Sequence, residues 1–376
     1  MTKKIRVAVL YGGRSGEHEV SLQSGASVIA NLDRDKFEVI PVSINKEGRW
    51  QWNDLKLIEE SRAKILPIYQ NSPEMRLRPQ PDGRATLEPI NSGSPSFGDI
   101  DVFFPVMHGP LCEDGAVQGL LELADVAYVG SGILGSAIGM DKEVAKRLAE
   151  AAGIPIVPYV SVTKTNFLRD AGAAEKQAKA KLKLPVFVKP ANMGSSVGVH
   201  KVKKWEDLGQ ALKDSFQYDL KVLIEEGIDA REIEVAVLET VNGAPFVSVP
   251  SEISAAGGHE FYSYEAKYLD ANGATIDLPA KITPEQVATV QKYAAQAFEV
   301  LELAGMARAD FFLDRKTNKF YFNEVNTLPG FTTISMFPKM MGASGVNYKD
   351  LLSRLVTLAL HRQQQRHSLK REFSAK

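Results

Sequence analysis

Two neighbouring segments, MARADFFLD (306–314) and KFYFNEVN (319–326), carry the strongest local pattern in the 376-residue sequence. The residues that join them, DRKTN (314–318), are typical of a turn. Both flanking segments are rich in aromatic and branched residues, which favour extended strands. The pattern therefore predicts a β-hairpin in the last third of the chain.

The predicted hairpin brings four polar side chains together on one face. With the turn centred on Thr317, Asp310 lies opposite Glu324. Arg308 then lies opposite Asn326, and all four share a face because strand side chains alternate in direction. Two facing carboxylates repel each other unless a cation lies between them, and oxygen ligands of this kind suit Mg²⁺. The alternative is a solvated face with a cross-strand salt bridge, but the four residues in combination favour a metal site.

A second segment with phosphate-binding chemistry lies upstream. An apolar strand in VFVKP (186–190) reaches Lys189, and the small, flexible loop ANMGSSVG (191–198) follows it. The lysine can supply a cation, and the loop can supply backbone N–H groups and hydroxyls to phosphate oxygens. The spacing matches neither the Walker A pattern nor Gly-x-Gly-x-x-Gly. A flexible turn is the alternative, whereas the hairpin downstream favours a mobile lid over phosphates.

Three weaker candidates belong to the same group. Lys142 begins a predicted helix and is either a second phosphate-binding lysine or a surface charge. The segment LIEEG (223–227) is either a hinge that holds a nucleotide or an edge strand with two acids. The segment GGHEFYSYEAKY (257–268) is either a loop that closes over a site or an aromatic-anchored surface loop.

The beginning of the chain predicts a parallel α/β sheet, because a strand, a turn, a helix and a second strand follow one another over 5–44. The turn GGRSGEHE (12–19) follows the first strand, where such folds bind ligands, and its acidic residues suit a substrate ammonium. The segment MHGPLCEDG (107–115) ends another strand of this sheet. His108 is either structural or carboxylate-binding, and Cys112 has no evident base partner, which disfavours a nucleophile.

The composition is ordinary for a soluble protein, with 44% hydrophobic residues, 24% charged residues and a net charge of −1. The near-neutral balance gives no electrostatic reason to expect a nucleic acid or an anionic membrane as partner. No apolar stretch approaches the roughly 20 residues that span a bilayer, and the short apolar run near the start indicates a buried strand rather than a signal peptide. The single cysteine excludes an intrachain disulfide, so we expect a reducing, cytoplasmic location.

The order of the elements predicts three domains, as expected for a chain longer than a single core allows. The predicted parts are an N-terminal α/β domain (1–138) with a weakly ordered surface insertion (about 45–98), a central α+β domain (139–228), a C-terminal domain with the hairpin (229–362) and a polar, frayed tail (363–376).

Together these motifs resemble the D-alanine–D-alanine ligases over nearly the whole chain. The resemblance rests on VAVLYGGRSGEHEVS (7–21), the His-Gly and Glu-Asp-Gly residues of 108–115, GSG (130–132), MDK (140–142), KP and GSSVG within 189–198, YEAKY (264–268), RAD (308–310) and NEVNTLPG (323–330). The family implies an ATP-grasp fold, with an N-terminal Rossmann-like domain and ATP held between the central and C-terminal domains. It also implies a homodimer that joins two D-alanine molecules through an acyl phosphate, for peptidoglycan precursors.

The resemblance also implies a role for each matching residue. Those for catalysis and D-alanine are Glu17 (the first ammonium), His108 (the first carboxylate), Ser195, Tyr268, Arg308 and Gly330 (the oxyanion), and Ser335 and Met336 (the second carboxylate). Those for ATP are Lys142, Lys189, Ser195, Ser196, Glu225, Glu226, Ile228, Glu232, Phe261, Lys267, Asn323 and Glu324. Two Mg²⁺ ions, with Mn²⁺ as a substitute, would bind Asp310, Glu324 and Asn326. The chain departs from relatives that have lysine at Glu226, whereas Tyr268 favours an amide over an ester product.

Two other functions remain as hypotheses. Another ATP-grasp ligase would keep the metal hairpin but would not need Glu17, His108 and Tyr268 together. A non-catalytic nucleotide-binding regulator would be expected to lack at least one of the four polar hairpin residues, and all four are present. An oxidoreductase is disfavoured because the first glycine turn does not have dinucleotide-binding spacing.

Overall fold

The computed structural model describes residues 3–61, 64–68, 72–90, 98–255 and 274–370. Its first elements are β1 (Ile5–Gly12), α1 (His18–Asn31), β2 (Phe37–Ile44), β3 (Trp50–Trp52), α2 (Leu55–Ser61), β4 (Met75–Pro79), β5 (Ala85–Pro89), β6 (Asp99–Ile100), β7 (Val102–Pro105), α3 (Ala116–Leu123) and β8 (Ala127–Tyr128). A five-stranded first sheet has the order β3-β2-β1-β7-β8, and every pair except β2–β3 is parallel. Residues 7–11 are fully buried, as expected for a parallel strand covered on both faces. The predicted parallel α/β sheet is confirmed.

The described residues of the segment 45–98 are more ordered than their sequence indicates. Strand β3 extends the first sheet, and β4, β5 and β6 form a small antiparallel sheet. Met75 and Leu87 are buried in one apolar core with residues of the first sheet. The expectation of a weakly ordered surface insertion is therefore wrong for the described residues of this segment. A short strand such as β4, with both arginines exposed, gives too little apolar periodicity to be recognised.

The second sheet follows two helices. Its elements are α4 (Ile133–Met140), α5 (Lys142–Ala151), β9 (Tyr159–Thr163), α6 (Lys164–Arg169), α7 (Ala171–Lys181), β10 (Val186–Pro190), β11 (His200–Val202), a short 3-10 helix (Trp205–Asp207), α8 (Leu208–Ser215) and β12 (Lys221–Glu226). The four strands are antiparallel, in the order β11-β10-β12-β9. Asp141 caps α5, because its side chain accepts bonds from the N–H groups of Glu143 and Val144. The cap fixes Lys142 at the first position of the helix.

The third sheet contains the predicted hairpin. The remaining elements are β13 (Ala230–Leu238), β14 (Phe246–Val247), β15 (Ser251–Ala255), β16 (Ala274–Asp277), α9 (Pro284–Val300), β17 (Met306–Asp314), β18 (Phe320–Asn326), α10 (Met336–Ala343) and α11 (Tyr348–His367). The strand order is β16-β15-β13-β17-β18, with β14 also paired to β13, and all pairs are antiparallel. Helix α9 begins with a capping box between Thr283 and Gln286 and covers one face of this sheet.

Helix α11 packs on the first sheet and continues into the predicted tail. Its apolar face shares one core with β1 and β7. Gln363 is buried and donates a hydrogen bond to the carbonyl of Asp125 at 2.7 Å. The prediction of a frayed tail is therefore wrong for 363–367, which is helical, whereas 371–376 lies outside the described residues. Like every other helix of the described residues, α11 lacks the combination of length and apolar character that a membrane span requires.

Candidate active site

The hairpin of β17 and β18 has the register predicted from the sequence. Arg308 pairs with Asn326, and Asp310 pairs with Glu324. A β-bulge lies between Asp310 and Phe311, and bulges are frequent beside functional sites, where they redirect side chains. All four polar residues are partly exposed, so the face that they form borders a cavity rather than the core.

Two cations neutralise the carboxylates of this face. The Arg308 guanidinium donates two parallel bonds to Asp310, of 2.8 Å from Nε to Oδ1 and 2.7 Å from Nη2 to Oδ2. Its Nε also lies 3.3 Å from Oε1 of Glu234. Burial opposes the charge of Arg308, but Asp310 and Glu234 outweigh it and hold the guanidinium pKa well above its ordinary value. On the other strand, the Lys142 ammonium lies 3.1 Å from Oε2 of Glu324.

The donor set of the hairpin fits a divalent cation that also binds phosphates. Asp310 and Glu324 offer carboxylate oxygens, and Asn326 offers an amide oxygen that accepts a bond from the Leu328 N–H at 3.2 Å. Within the ranges that the structure describes, no group of three or more His, Cys, Asp or Glu could hold a metal ion by itself. Mg²⁺ commonly takes one or two carboxylates and completes its shell with water and substrate phosphates. The set therefore suits Mg²⁺ delivered with a nucleotide better than a structural metal.

Behind the hairpin, a buried carboxylate lies between two lysines. Glu225 contacts Lys189 at 2.6 Å through Oε1 and Lys146 at 2.7 Å through Oε2. Burial disfavours the charge of Glu225, yet the two ammonium groups outweigh it and lower the carboxyl pKa. Lys189 also lies 3.5 Å from Oδ1 of Asn323 and 5.8 Å from the centroid of the Phe312 ring. This cluster places the predicted phosphate-binding lysine at the edge of the hairpin.

The glycine-serine loop (191–198) contacts the turn that follows β1 (residues 12–19). Ser195 Oγ donates a hydrogen bond to Oε1 of Glu17, which joins two residues far apart in the sequence. A Cβ atom at Gly194 would lie 2.9 Å from Oε2 of Glu17, so a larger residue there would require the Glu17 side chain to shift. Ser195 and Ser196 have φ angles of 54° and 58°, a left-handed conformation that is uncommon outside glycine. Strained backbone of this kind concentrates at functional loops.

His108 is buried near this turn, and both of its ring nitrogens bind protein groups. Nε2 lies 3.0 Å from Oγ of Ser24, and Nδ1 lies 3.1 Å from the carbonyl oxygen of Leu328. A carbonyl only accepts, so Nδ1 carries a proton. Burial lowers the imidazole pKa, but Glu113, at 3.8 Å from Nδ1, together with Glu17 and the Leu328 carbonyl outweighs burial and raises it. The positive charge favoured at His108 can thus attract a substrate carboxylate. A direct hydrogen bond to that carboxylate would require Nε2 to leave Ser24.

Cys112 lies beside this cluster and is buried. Burial, with Glu113 and Asp114 nearby, raises the pKa of its thiol far above the ordinary value. A thiol that stays protonated is a poor nucleophile. The structure therefore agrees with the interpretation that Cys112 is not a catalytic nucleophile.

The segment after the hairpin leads into the N-terminus of α10. Ser335 Oγ accepts a bond from the Thr332 N–H at 3.0 Å, and a Cβ atom at Gly330 would lie 2.6 Å from this oxygen. Met336 begins α10, and the side chain of Ser335 does not cap the helix. The N–H groups of a first helical turn attract anions, so this end of α10 suits a carboxylate.

Two cavities meet at the hairpin face. The larger, of about 730 Å³, is lined by all the described residues expected to bind ATP: Lys142, Lys189, Ser195, Ser196, Glu225, Glu226, Ile228, Glu232, Asn323 and Glu324. The smaller, of about 250 Å³, is lined by all those expected to bind D-alanine except one outside the described residues: Glu17, His108, Ser195, Arg308, Gly330, Ser335 and Met336. Asp310 borders the larger cavity and Asn326 the smaller. Phe261, Lys267 and Tyr268 lie outside the described residues.

Two family models, one for the N-terminal part and one for the C-terminal part of the same enzyme family, match the sequence. The model described as "D-ala D-ala ligase N-terminus" matches residues 6–131, and "D-ala D-ala ligase C-terminus" matches residues 148–357. This chain belongs to the D-alanine–D-alanine ligase family. It is 62% identical over 375 residues to D-alanine–D-alanine ligase A of Bradyrhizobium diazoefficiens, with 100% of both chains covered.

Solved structures of D-alanine–D-alanine ligases and their relatives share the fold. The D-alanine-D-alanine ligase of Coxiella burnetii has a TM-score of 0.81 and 32% identity, and covers 98% of this chain and 97% of its own. VanG D-Ala:D-Ser ligase of Enterococcus faecalis has a TM-score of 0.80 and 32% identity, over 95% of this chain and 100% of its own. The predicted family and fold class are confirmed.

Two charged residues, one lining the site (Glu234) and one directly behind it (Lys146), were not singled out from the sequence. Lys146 follows Lys142 by one turn of α5, and this i, i+4 spacing was the available signal. Glu234 pairs with Asp310 across β13 and β17, and its alternation with Glu232 in the apolar strand β13 was the corresponding signal. Both are buried, which explains why charge patterning at the surface did not reveal them.

Proposed function

We propose that this chain uses ATP to join two D-alanine molecules into D-alanyl-D-alanine, a step in the synthesis of peptidoglycan precursors. The observation that carries the proposal is a cavity of nucleotide size that meets a cavity of amino-acid size at one hairpin face. Arg308 and Glu324 line both cavities. Such a shared wall suits phosphoryl transfer between two ligands, because reacting atoms must be held about 3–3.5 Å apart. Membership of the D-alanine–D-alanine ligase family identifies the ligands.

The larger cavity would hold ATP. Residues 225–232 suit the base and ribose, since this stretch offers backbone groups and carboxylates at the end of β12. Lys189 and Lys142 would hold the phosphates, with Ser195 and Ser196 in the loop above them. Lys142 is the first residue of α5, so the partial positive charge of the helix N-terminus adds to that of its ammonium.

Two Mg²⁺ ions, replaceable by Mn²⁺, would be held by Asp310, Glu324 and Asn326 together with phosphate oxygens. When bound, such ions neutralise the charge of the transferring phosphoryl group. Arg308 lies 2.7 Å from Asp310 and Lys142 lies 3.1 Å from Glu324, so the ions would share these carboxylates with the two side chains.

The smaller cavity would orient both amino acids. Glu17 would accept the ammonium of the first D-alanine, and the positive charge favoured at His108 would attract its carboxylate. After that carboxylate has become an acyl phosphate, the amine of the second D-alanine attacks it. Arg308 and the Gly330 N–H would then stabilise the oxyanion, a contribution of about 10²–10³ in rate for a single donor.

Ser335 and Met336 would receive the second carboxylate at the N-terminus of α10. The glycine-serine loop, already bonded to Glu17 through Ser195, would exclude the water that hydrolyses an acyl phosphate. Tyr268 would favour an amine over a hydroxyl as the attacking group. An amide product is therefore expected in preference to an ester.

The experiment that tests this function measures phosphate release from ATP and Mg²⁺ with D-alanine, L-alanine, or D-alanine plus D-serine or D-lactate, with products identified by mass. D-alanine-dependent release with the D-alanine dipeptide as main product supports the proposal. A main product with D-serine would instead favour a D-Ala:D-Ser ligase activity, as named for VanG, whose structure has a TM-score of 0.80. ATP turnover without any dipeptide would point to another acid and amine, and tight ATP binding without turnover would point to a regulator.

Three further expectations belong to this proposal. The chain would divide into domains at about residues 138 and 228, because the three main sheets are built from successive stretches of sequence. A homodimer is the assembly that the family resemblance implies. A cytoplasmic location would follow from the need for ATP and from the single, reduced cysteine.

A further inference from the structure

Among the residues that the structure describes, Lys146 is the most deeply buried lysine, and it lies directly behind the larger cavity without lining it. The side chain of Lys146 is 1% exposed, against 12% for Lys189, and both lysines contact the same carboxylate of Glu225. Glu225 and Lys189 line the cavity, whereas Lys146 lines neither cavity. Lys146 therefore cannot touch a nucleotide there, although it touches a residue that can.

We infer that Lys146 is a positioning residue for ATP binding: it is the permanent counter-ion of Glu225, which allows Lys189 to leave this carboxylate for the nucleotide phosphates. The inference rests on the proposed function in one respect, namely that ATP occupies the larger cavity. It goes beyond that function because it assigns a task to a residue outside the site.

The geometry gives the two lysines different freedom. Lys146 Nζ is fixed from two sides, by Oε2 of Glu225 at 2.7 Å and by the carbonyl of Phe322 at 3.2 Å. Lys189 Nζ contacts Oε1 of Glu225 at 2.6 Å, and its other polar neighbour is the more distant Asn323 at 3.5 Å. Lys189 faces the cavity, so it is the lysine that can turn towards a ligand.

The charges explain why one lysine would not be enough. An ionised carboxylate buried as deeply as Glu225 is stable only with a charged or hydrogen-bonding partner. If Lys189 were its only partner, ATP would have to break that buried pair and leave Glu225 uncompensated. With Lys146 in place, a neutral Glu225–Lys146 pair remains after Lys189 has moved. Phosphate binding then leaves no uncompensated charge at Glu225 in β12.

The test combines Lys146→Met, Glu225→Gln and the double variant, with KM for ATP, KM for D-alanine and kcat measured for each. Lys146→Met should raise the KM for ATP about tenfold or more, a factor that corresponds to about 1.4 kcal/mol. The KM for D-alanine and kcat should change less than threefold, because the smaller cavity is not involved. Adding Glu225→Gln should rescue Lys146→Met, since the carboxylate that needs a counter-ion is gone; the double variant should then match Glu225→Gln within about threefold.

Lys221→Met is the matched control. Lys221 is a partly buried lysine on the same strand as Glu225 and is paired with Asp141 at 2.6 Å and Glu143 at 3.1 Å, but it lines neither cavity. Its loss should lower the free energy of unfolding and leave the KM for ATP unchanged. If Lys146→Met does not fold, the double variant can still be tested, because it leaves no uncompensated charge. Its KM for ATP is then compared with that of Glu225→Gln alone, and the inference requires the two values to agree.

Two results would overturn the inference. In the first, Lys146→Met raises the KM for ATP by the same factor whether residue 225 is Glu or Gln. In the second, Lys146→Met changes the KM values for ATP and for D-alanine equally. Either would make Lys146 a packing residue only. ADP binding by calorimetry, measured on the same variants, separates this failure from failure of the proposed function. Wild-type protein that binds ADP but forms no dipeptide would refute the function, and the ADP affinities of the variants would still test Lys146.

Discussion

Removing the Arg308 guanidinium should affect stability and catalysis through different contacts, so the two effects can be measured separately. In Arg308→Met the carboxylates of Asp310 and Glu234 lose the cation that lies 2.7 Å and 3.3 Å from them. Loss of one partner of a buried ion pair costs about 3–5 kcal/mol, and the 20% exposure of Arg308 favours the lower end of this range. The oxyanion donor is lost as well, which should lower kcat about 10²–10³-fold.

Arg308→Lys separates charge from geometry. A lysine keeps the positive charge near Asp310 but cannot donate two parallel bonds to one carboxylate, because its ammonium is a point charge. We expect it to recover part of the lost stability, while kcat stays at least about tenfold below that of the wild type. Urea unfolding gives the stability, and phosphate release at saturating ATP, Mg²⁺ and D-alanine gives kcat.

Arg362→Met is the control for the loss of a partly buried arginine. Arg362 donates to the carbonyl of Tyr128 at 2.7 Å, stacks on the ring of Tyr128, and lines neither cavity. The Arg362→Met variant should have a lower free energy of unfolding than the wild type and the same kcat. The assignment of Arg308 would be refuted if folded Arg308→Met kept a kcat within threefold of the wild type, or if Arg362→Met lost as much kcat.

Other variants and conditions test separate parts of the site. Ser195→Ala removes the bond from the glycine-serine loop to Glu17 and should lower dipeptide yield per ATP, because water then reaches the acyl phosphate; coupled dipeptide and phosphate measurements check this, and unchanged coupling would contradict it. Glu17→Gln should raise the KM for D-alanine at least tenfold with little change in that for ATP, and equal changes in both would contradict the two-cavity assignment. Chelation by EDTA should abolish phosphate release, which Mg²⁺ or Mn²⁺ should restore; activity that persists in EDTA would exclude the metal site. Cys112→Ala should retain kcat, and native Cys112 should resist alkylation because its buried thiol stays protonated; a large loss of kcat would reopen the nucleophile hypothesis.

The elements that were predictable from sequence are those whose burial follows a simple period. The bounds of β2, β9, β12 and α3 agree with the apolar runs that define them. The register of the hairpin followed from its turn, and the register placed Asn326 opposite Arg308 and Glu324 opposite Asp310.

Elements governed by long-range packing were missed. Helix α4 has the sequence ILGSAIGM, and glycine disfavours helices. Its glycines are required by tertiary contacts, since a Cβ atom at Gly135 would lie 2.3 Å from the carbonyl of Glu302, and one at Gly139 would lie 2.5 Å from Thr327. Lys146 was missed for a related reason, because only the fold shows that a lysine on α5 is buried against a carboxylate on β12.

Isotope transfer tests the central claim most directly. D-alanine labelled with ¹⁸O in both carboxylate oxygens is incubated with the chain, ATP and Mg²⁺, and the phosphate and dipeptide are analysed by mass spectrometry. If the carboxylate attacks the γ-phosphorus and the amine then displaces phosphate, one ¹⁸O atom enters phosphate for each D-alanyl-D-alanine formed. Dipeptide formation with unlabelled phosphate, or phosphate release that does not depend on D-alanine, would contradict the account.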